Sequence, residues 1–179
     1  MERGLRSIIC SVGAVAVLAA LPGCNGTNID DPHSSDSLLI VEGVEPASVQ
    51  ADVSPDVDPN TLFVTPPADD TVTVKVKNLK RNQSASGVFG DILISSFDVS
   101  CSNGTLDSSN NPASLAVAAE ATGDITVLVA SGPFKQANSG ALLAIGSDLC
   151  EITFNGQDLS GEPIVSTKAV FGVSFVDTP

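Results

Sequence analysis

Apolar and polar residues alternate with period two along much of the chain beyond residue 37. Val72, Val74 and Val76 alternate with Thr71, Thr73, Lys75 and Lys77, as side chains do when one face of a strand is buried and the other wet. The same period puts Leu93, Phe97, Val99 and Cys101 on one side of Asp91–Ser102, and Ile125, Val127 and Val129 on one side of the next run. Cys150, Ile152 and Phe154 repeat it, as do Phe171, Val173 and Phe175, and Leu38–Val44 opens the series as an aliphatic run. Clusters rich in turn-forming residues separate the runs at Pro66-Pro67, Asn82–Gly87, Asn103–Pro112, Ser131–Gly140 and Asn155–Pro163. Only Ala113–Ala121 (ASLAVAAEA) has the composition of a helix, and it is short. Strands at this spacing predict an all-β fold, an antiparallel sandwich of about seven to nine strands.

The first 37 residues follow another pattern. Arg3 and Arg6 precede Ile8–Ala20, an uncharged run closed by Leu21-Pro22-Gly23-Cys24. A short positive region, an apolar core and a small-residue cut site describe a secretory signal. The run falls short of the roughly 20 residues that span a bilayer. Asn25–Ser37 (NGTNIDDPHSSDS) is polar without apolar period and reads as a flexible tether. The expected organisation is a signal peptide over 1–23, Cys24 with a tether over 24–37, and one domain over 38–179.

Leu21-Pro22-Gly23-Cys24 resembles the lipobox of bacterial lipoproteins, with an aliphatic residue three before the cysteine and a small one directly before it. Pro22 departs from the usual small or polar residue. The resemblance implies cleavage before Cys24, a diacylglycerol thioether on its sulfur, and N-acylation such as palmitate. Each buried methylene contributes about 0.8 kcal/mol, and two chains hold stably where one does not. The implied partner is therefore a membrane, reached through lipid at the cell envelope. Asn25 after the cysteine favours the outer membrane in an organism with two membranes.

Charge sharpens this picture. Removing residues 1–23 takes away Arg3, Arg6 and Glu2, leaving six basic against twenty acidic side chains, a net charge of −14. Such a surface repels nucleic acid and anionic head groups, which excludes a nucleic-acid partner and leaves membrane attachment to the lipid. A hydrophobic content of 42% with 16% charged residues argues for a folded core.

Cys10 leaves with the signal and Cys24 carries lipid, so Cys101 and Cys150 are expected to form a structural disulfide. A redox or metal role has no CxxC and no nearby histidine to support it. Closing a loop of about 50 residues removes roughly 4 kcal/mol of unfolded-state entropy. Both cysteines share the parity of core-facing residues, which suits a bridge inside the sandwich. With no Trp to pack on the bridge and no Tyr for a corner, the expected architecture is immunoglobulin-like without being an antibody-type domain. Asp91–Gly104 (DILISSFDVSCSNG) and Glu151–Val176 (EITFNGQDLSGEPIVSTKAVFGVSFV) resemble small envelope lipoproteins with an Ig-like sandwich. There a late hairpin leads into an alternating final strand. That resemblance implies the fold and no activity.

Catalytic chemistry finds little to build on. His33 is the only histidine and sits in the tether, which removes serine or cysteine triads and two-histidine metal sites. The acids permit a carboxylate pair, yet no Trp or Tyr offers a sugar platform, and no phosphate-binding glycine loop follows a strand. No enzyme is expected. Asp56-Val57-Asp58-Pro59-Asn60 opens like an EF-hand loop, but Thr61 and Pro67 stand at its sixth and twelfth positions. An irregular calcium site from Asp52, Asp56, Asp58 and Asn60, or from Asp69 and Asp70, is weighed against a solvated acidic loop.

Four of the six remaining basic residues lie within Lys75–Arg81: Lys75, Lys77, Lys80 and Arg81. They suit an anionic glycan or acidic partner, or else line the wet face of an edge strand and pair with nearby acids. Asn25, Asn82 and Asn103 open glycosylation sequons. The leading expectation is a non-catalytic, lipid-anchored envelope module that contacts another surface protein or a polymer. The alternative is a ligand- or calcium-binding envelope lipoprotein.

Overall fold

In a computed structural model, the chain is described over residues 35–57, 60, 62, 64–81 and 89–178. The signal peptide, Cys24, Asp58 and all of the tether before Ser35 lie outside these residues. The described chain forms eleven strands and one helix. The strands are β1 (Ser37–Glu45), β2 (Ser48–Asp52), β3 (Asp56–Val57), β4 (Val64–Thr65), β5 (Asp70–Lys80), β6 (Ile92–Cys101), β7 (Ser108–Val117), β8 (Thr122–Ala130), β9 (Ser147–Asp158), β10 (Pro163–Val165) and β11 (Ala169–Val176). The helix, α1 (Gly132–Ile145), lies between β8 and β9. The fold is all-β in character, as the alternation requires.

Two sheets enclose one core. One has the order β1-β5-β8; the other runs β2-β11-β9-β6-β7, with β10 also paired to β9, and β3-β4 is a separate small hairpin. Buried side chains from both main sheets form a single cluster that includes Leu39, Val74, Val127, Ile94, Ile152 and Phe171. All the pairings are antiparallel except β2 with β11, which run parallel from Ser48↔Gly172 to Asp52↔Val176. A long crossover joins parallel neighbours, and here almost the whole domain intervenes between them.

The period-two expectation holds best on β5, where Val72, Val74 and Val76 are buried and Asn78 continues the same face. It breaks on β6. Ile92 and Ile94 are buried, then Phe97, Val99 and Cys101, whereas Leu93 is 45% exposed. A register shift between Ile94 and Ser96, against both β7 and β9, inserts one residue. One extra residue moves every later side chain to the opposite face. Opposite the bulge stands Gly156, where an added Cβ would lie 2.5 Å from the Leu93 carbonyl oxygen. Only glycine lets the strands approach that closely.

Three local expectations are corrected. Ala113–Ala121 is not helical: β7 covers it to Val117, held by pairing to β6 despite alanine's helix preference. The cluster Asn103–Pro112 yields to the same strand from Ser108 onward. The cluster Ser131–Gly140 is the start of α1. Ser131 caps it by accepting from Phe134 N (3.3 Å), a proline stands in the first turn, and Gly146 closes it at φ 71°. Gly132 is required there too, since a Cβ would fall 1.9 Å from the Pro67 carbonyl oxygen.

Candidate functional site

The strands run between two poles. At one, the described chain enters: Ser35 and Ser37 are buried, and the Ser37 hydroxyl donates to the Gly90 carbonyl (3.3 Å). Asn78, fully buried at the end of β5, donates through Nδ2 to the carbonyls of Gly90 (2.8 Å) and Val117 (3.1 Å). A residue of the three-stranded sheet thereby binds backbone belonging to the other. Asp158 closes the β9–β10 turn by accepting from Ser160 N (2.9 Å), Ser160 Oγ (2.6 Å) and Glu162 N (3.0 Å). Burial alone would raise its carboxyl, but these bonds and one from Ser35 outweigh it and hold the group below the usual carboxylate range. A groove of about 530 Å³ opens beside this turn, lined by Asp91, Leu93, Ala116 and Leu159 among others.

The disulfide lies toward the other pole. Cys101 and Cys150 are register partners on β6 and β9, bridged with Cα atoms 4.0 Å apart. Both are buried on the core side, as parity predicts. The bridge links neighbouring strands of one sheet, unlike the inter-sheet bridge of antibody domains. Asp148, also buried, accepts from Asn103 N and Leu149 N, and so ties the loop after Cys101 to the start of β9. Its carboxylate and both sulfurs lie within 4.8 Å of one another, the one such cluster of potential metal ligands among the described residues. Joined as a disulfide, the sulfurs offer no thiolate, which is the form that ligates metals.

Of the calcium candidates Asp52, Asp56, Asp58 and Asn60, only Asp52 and Asn60 have side chains among those described. Asp52 is committed elsewhere, accepting from Ser54 N (2.9 Å) and from the hydroxyl of Thr178 near the end of the chain. The Thr178 hydroxyl first, then Ser54 N, lower its carboxyl. The backbone of Asp56 belongs to β3, and Asp58 lies outside the described residues.

Sequence reasoning weighed Asp69 and Asp70 as a calcium site against a solvated acidic loop, and neither reading captures what they do. Asp69 Oδ1 accepts from Gly132 N (2.7 Å) at the start of α1. Asp70 meets Lys135 Nζ at 2.5 Å, and Lys135 is 1% exposed. The signal for Lys135 was its place on the buried stripe of α1 with Gly132 and Leu142, spaced by three and seven residues. It becomes readable once the helix is recognised.

The basic stretch also changes meaning. β5 is the central strand of its sheet, so its lysines guard no edge. Lys77 pairs with Glu42 (3.4 Å), and Lys75 sits among Glu42, Glu45 and Asp124, so acids interleave with the bases as the composition led one to expect. No family model matches the chain, and no curated protein matches it at significance.

Proposed function

We propose that the chain is a lipid-anchored, non-catalytic module of a bacterial cell envelope, with an immunoglobulin-like sandwich carried on a short tether from Cys24. The observation that carries this reading is the sequence Leu21-Pro22-Gly23-Cys24 closing an uncharged run behind Arg3 and Arg6. The position of Ser35 is compatible with it. Ser35, the first of the described residues, is buried at one pole of the domain, and the residues between it and Cys24 would reach roughly 20 Å as a coil. Two facing sheets with one core support the sandwich, while the bridge within one sheet makes it a variant of that architecture. The partner we assign is another envelope protein or a surface polymer.

Fractionation tests the anchor. In cells fed an alkyne-bearing fatty acid, wild type should label and sediment with membranes. Cys24→Ser should lose the label and appear in the soluble fraction with an unchanged melting curve. Membrane-bound, fully processed Cys24→Ser protein would overturn the reading.

A further inference from the structure

Lysine is among the residues least often fully buried, yet Lys135 stands with Phe154 and Phe171 among the large, fully buried side chains of the described residues. Two further ion pairs among the described residues differ in kind: Lys77–Glu42 is about one-third exposed on both sides, and Lys168–Glu151 is more exposed still. Lys135 points its amine into the protein, at a carboxyl whose side chain is 14% exposed. Burying such a pair gains little stability over a well-packed apolar pair, so its presence asks for a chemical explanation.

We propose that Lys135 and Asp70 are the two halves of an intramolecular isopeptide bond, a covalent cross-link between the start of β5 and the first turns of α1. Nζ of Lys135 bonds to Cγ of Asp70, a Cγ–O bond breaks, and that oxygen leaves as water with two of the three ammonium protons. Ammonium plus carboxylate and amide plus water contain the same atoms and the same net charge. The step therefore needs no oxidant, cofactor or second substrate.

The geometry meets the first demand of such a reaction. With Nζ 2.5 Å from Oδ2 and a carbon–oxygen bond of about 1.2 Å, Nζ lies no farther than about 3.7 Å from Cγ. That is close to the separation of reacting atoms in a near-attack arrangement. Both groups are held by structure that does not depend on their contact. Ser131 caps α1, Gly132 lies against Pro67, and Asp69 Oδ1 binds Gly132 N, which locks the helix start to the residues just before β5.

Attack also needs the neutral acid and the neutral amine. Burial holds the Asp70 carboxyl above the usual carboxylate range and outweighs the opposing pull of Lys135, with the charges of Asp69 and Asp52 adding to the rise. Lys135 is 1% exposed, so bulk water is kept from its amine. The charges of Asp69 and Asp52 act on Asp70, and Asp69 itself binds the start of α1. The proposal does not depend on lipidation at Cys24.

Peptide mapping of the full-length protein tests it. After reduction and trypsin, wild type should resist cleavage at Lys135. The peptide 82–168 should appear joined to the peptide ending at Lys75, lighter by one water than the two separate peptides together. Asp70→Asn should give the same joined species, with ammonia leaving instead of water, and Lys135→Arg should abolish it. Recovery of 82–135 and 136–168 as ordinary peptides from wild type would show an ion pair only and overturn the proposal. A succinimide at Asp70 also sheds one water, but it leaves Lys135 cleavable and persists in Lys135→Arg; that result overturns the proposal equally.

Discussion

Cys101 and Cys150 stand opposite each other on β6 and β9, two neighbouring strands paired from Ile92↔Asp158 to Cys101↔Cys150 with one register shift at Ile94/Ser96. The bridge closes a loop across a sequence separation of 49, for which the chain-entropy model gives roughly 4 kcal/mol. Because the ladder positions the strands without it, a Cys101→Ala/Cys150→Ala double variant should fold to the same secondary structure. Its thermal midpoint should fall by about 10 °C, at a few degrees per kcal/mol for a domain of this size. Circular dichroism measures both quantities. An unchanged midpoint would mean that the bridge contributes nothing beyond the ladder.

The bulge in β6 separates two neighbouring apolar residues in their effect. Ile94 is fully buried and Leu93 is 45% exposed. Ile94→Ala should destabilise by about 2–5 kcal/mol, the range for emptying a core site. Leu93→Ala should cost well under that. Gly156→Ala should behave like a core variant despite adding a single methyl, because the neighbour it meets is backbone. Urea unfolding of the three proteins decides the matter, and equal costs for Ile94→Ala and Leu93→Ala would refute the assigned register.

Acid should weaken the fold through identifiable carboxyls. Asp98 is lowered first by Asn110 N and then by Asn155, and Asp52 and Asp158 are lowered as described above. A carboxyl lowered in the folded state contributes stability above its unfolded value of 3.8 and loses that contribution as pH falls through its folded value. Each of the three lowered groups therefore loses its contribution as pH falls from about 5 to about 2. Asp158→Asn should melt lower than wild type at neutral pH and show a shallower pH dependence. Parallel melting-versus-pH curves for the two proteins would count against this role for Asp158.

Calcium should leave the molecule unchanged, since Asp52 already serves Ser54 and Thr178. A ligand specific to the native state must raise its midpoint. Melts in calcium and in EDTA should coincide, and a clear upward shift with calcium would restore the ion-binding alternative.

What was legible in the residues was whatever a single strand reports about itself. Val72, Val74 and Val76, or Phe171, Val173 and Phe175, disclose a half-buried strand because each run keeps one register throughout. Cys101 and Cys150 were likewise fixed on the core side by their own strands. Features created between strands were not legible. The shift at Ile94/Ser96 arises from pairing with β7 and β9, and the alternation read through it assigned Leu93 to the wrong face. The parallel contact of β2 with β11 joins residues more than a hundred positions apart. The helix did carry local signals, Ser131, the following proline and Gly146, but the same residue types also mark turns. Missing the helix meant missing Lys135, and with it the true partner of Asp70.

The placement of the chain's two described ends has a mechanical consequence. Ser35 enters beside Asp158, and Thr178 lies beside Asp52, near the pole where β9 begins at Ser147. Between these poles β9 alone extends over twelve residues, about 40 Å at the usual rise. A pull applied between Ser35 and Thr178 therefore acts along the strand axes. Ladders loaded lengthwise share the force across many hydrogen bonds at once, whereas a hairpin opened from one end surrenders them singly. The domain is oriented to resist stretching, and force spectroscopy along that axis should find it far stiffer than a pull across the sheets.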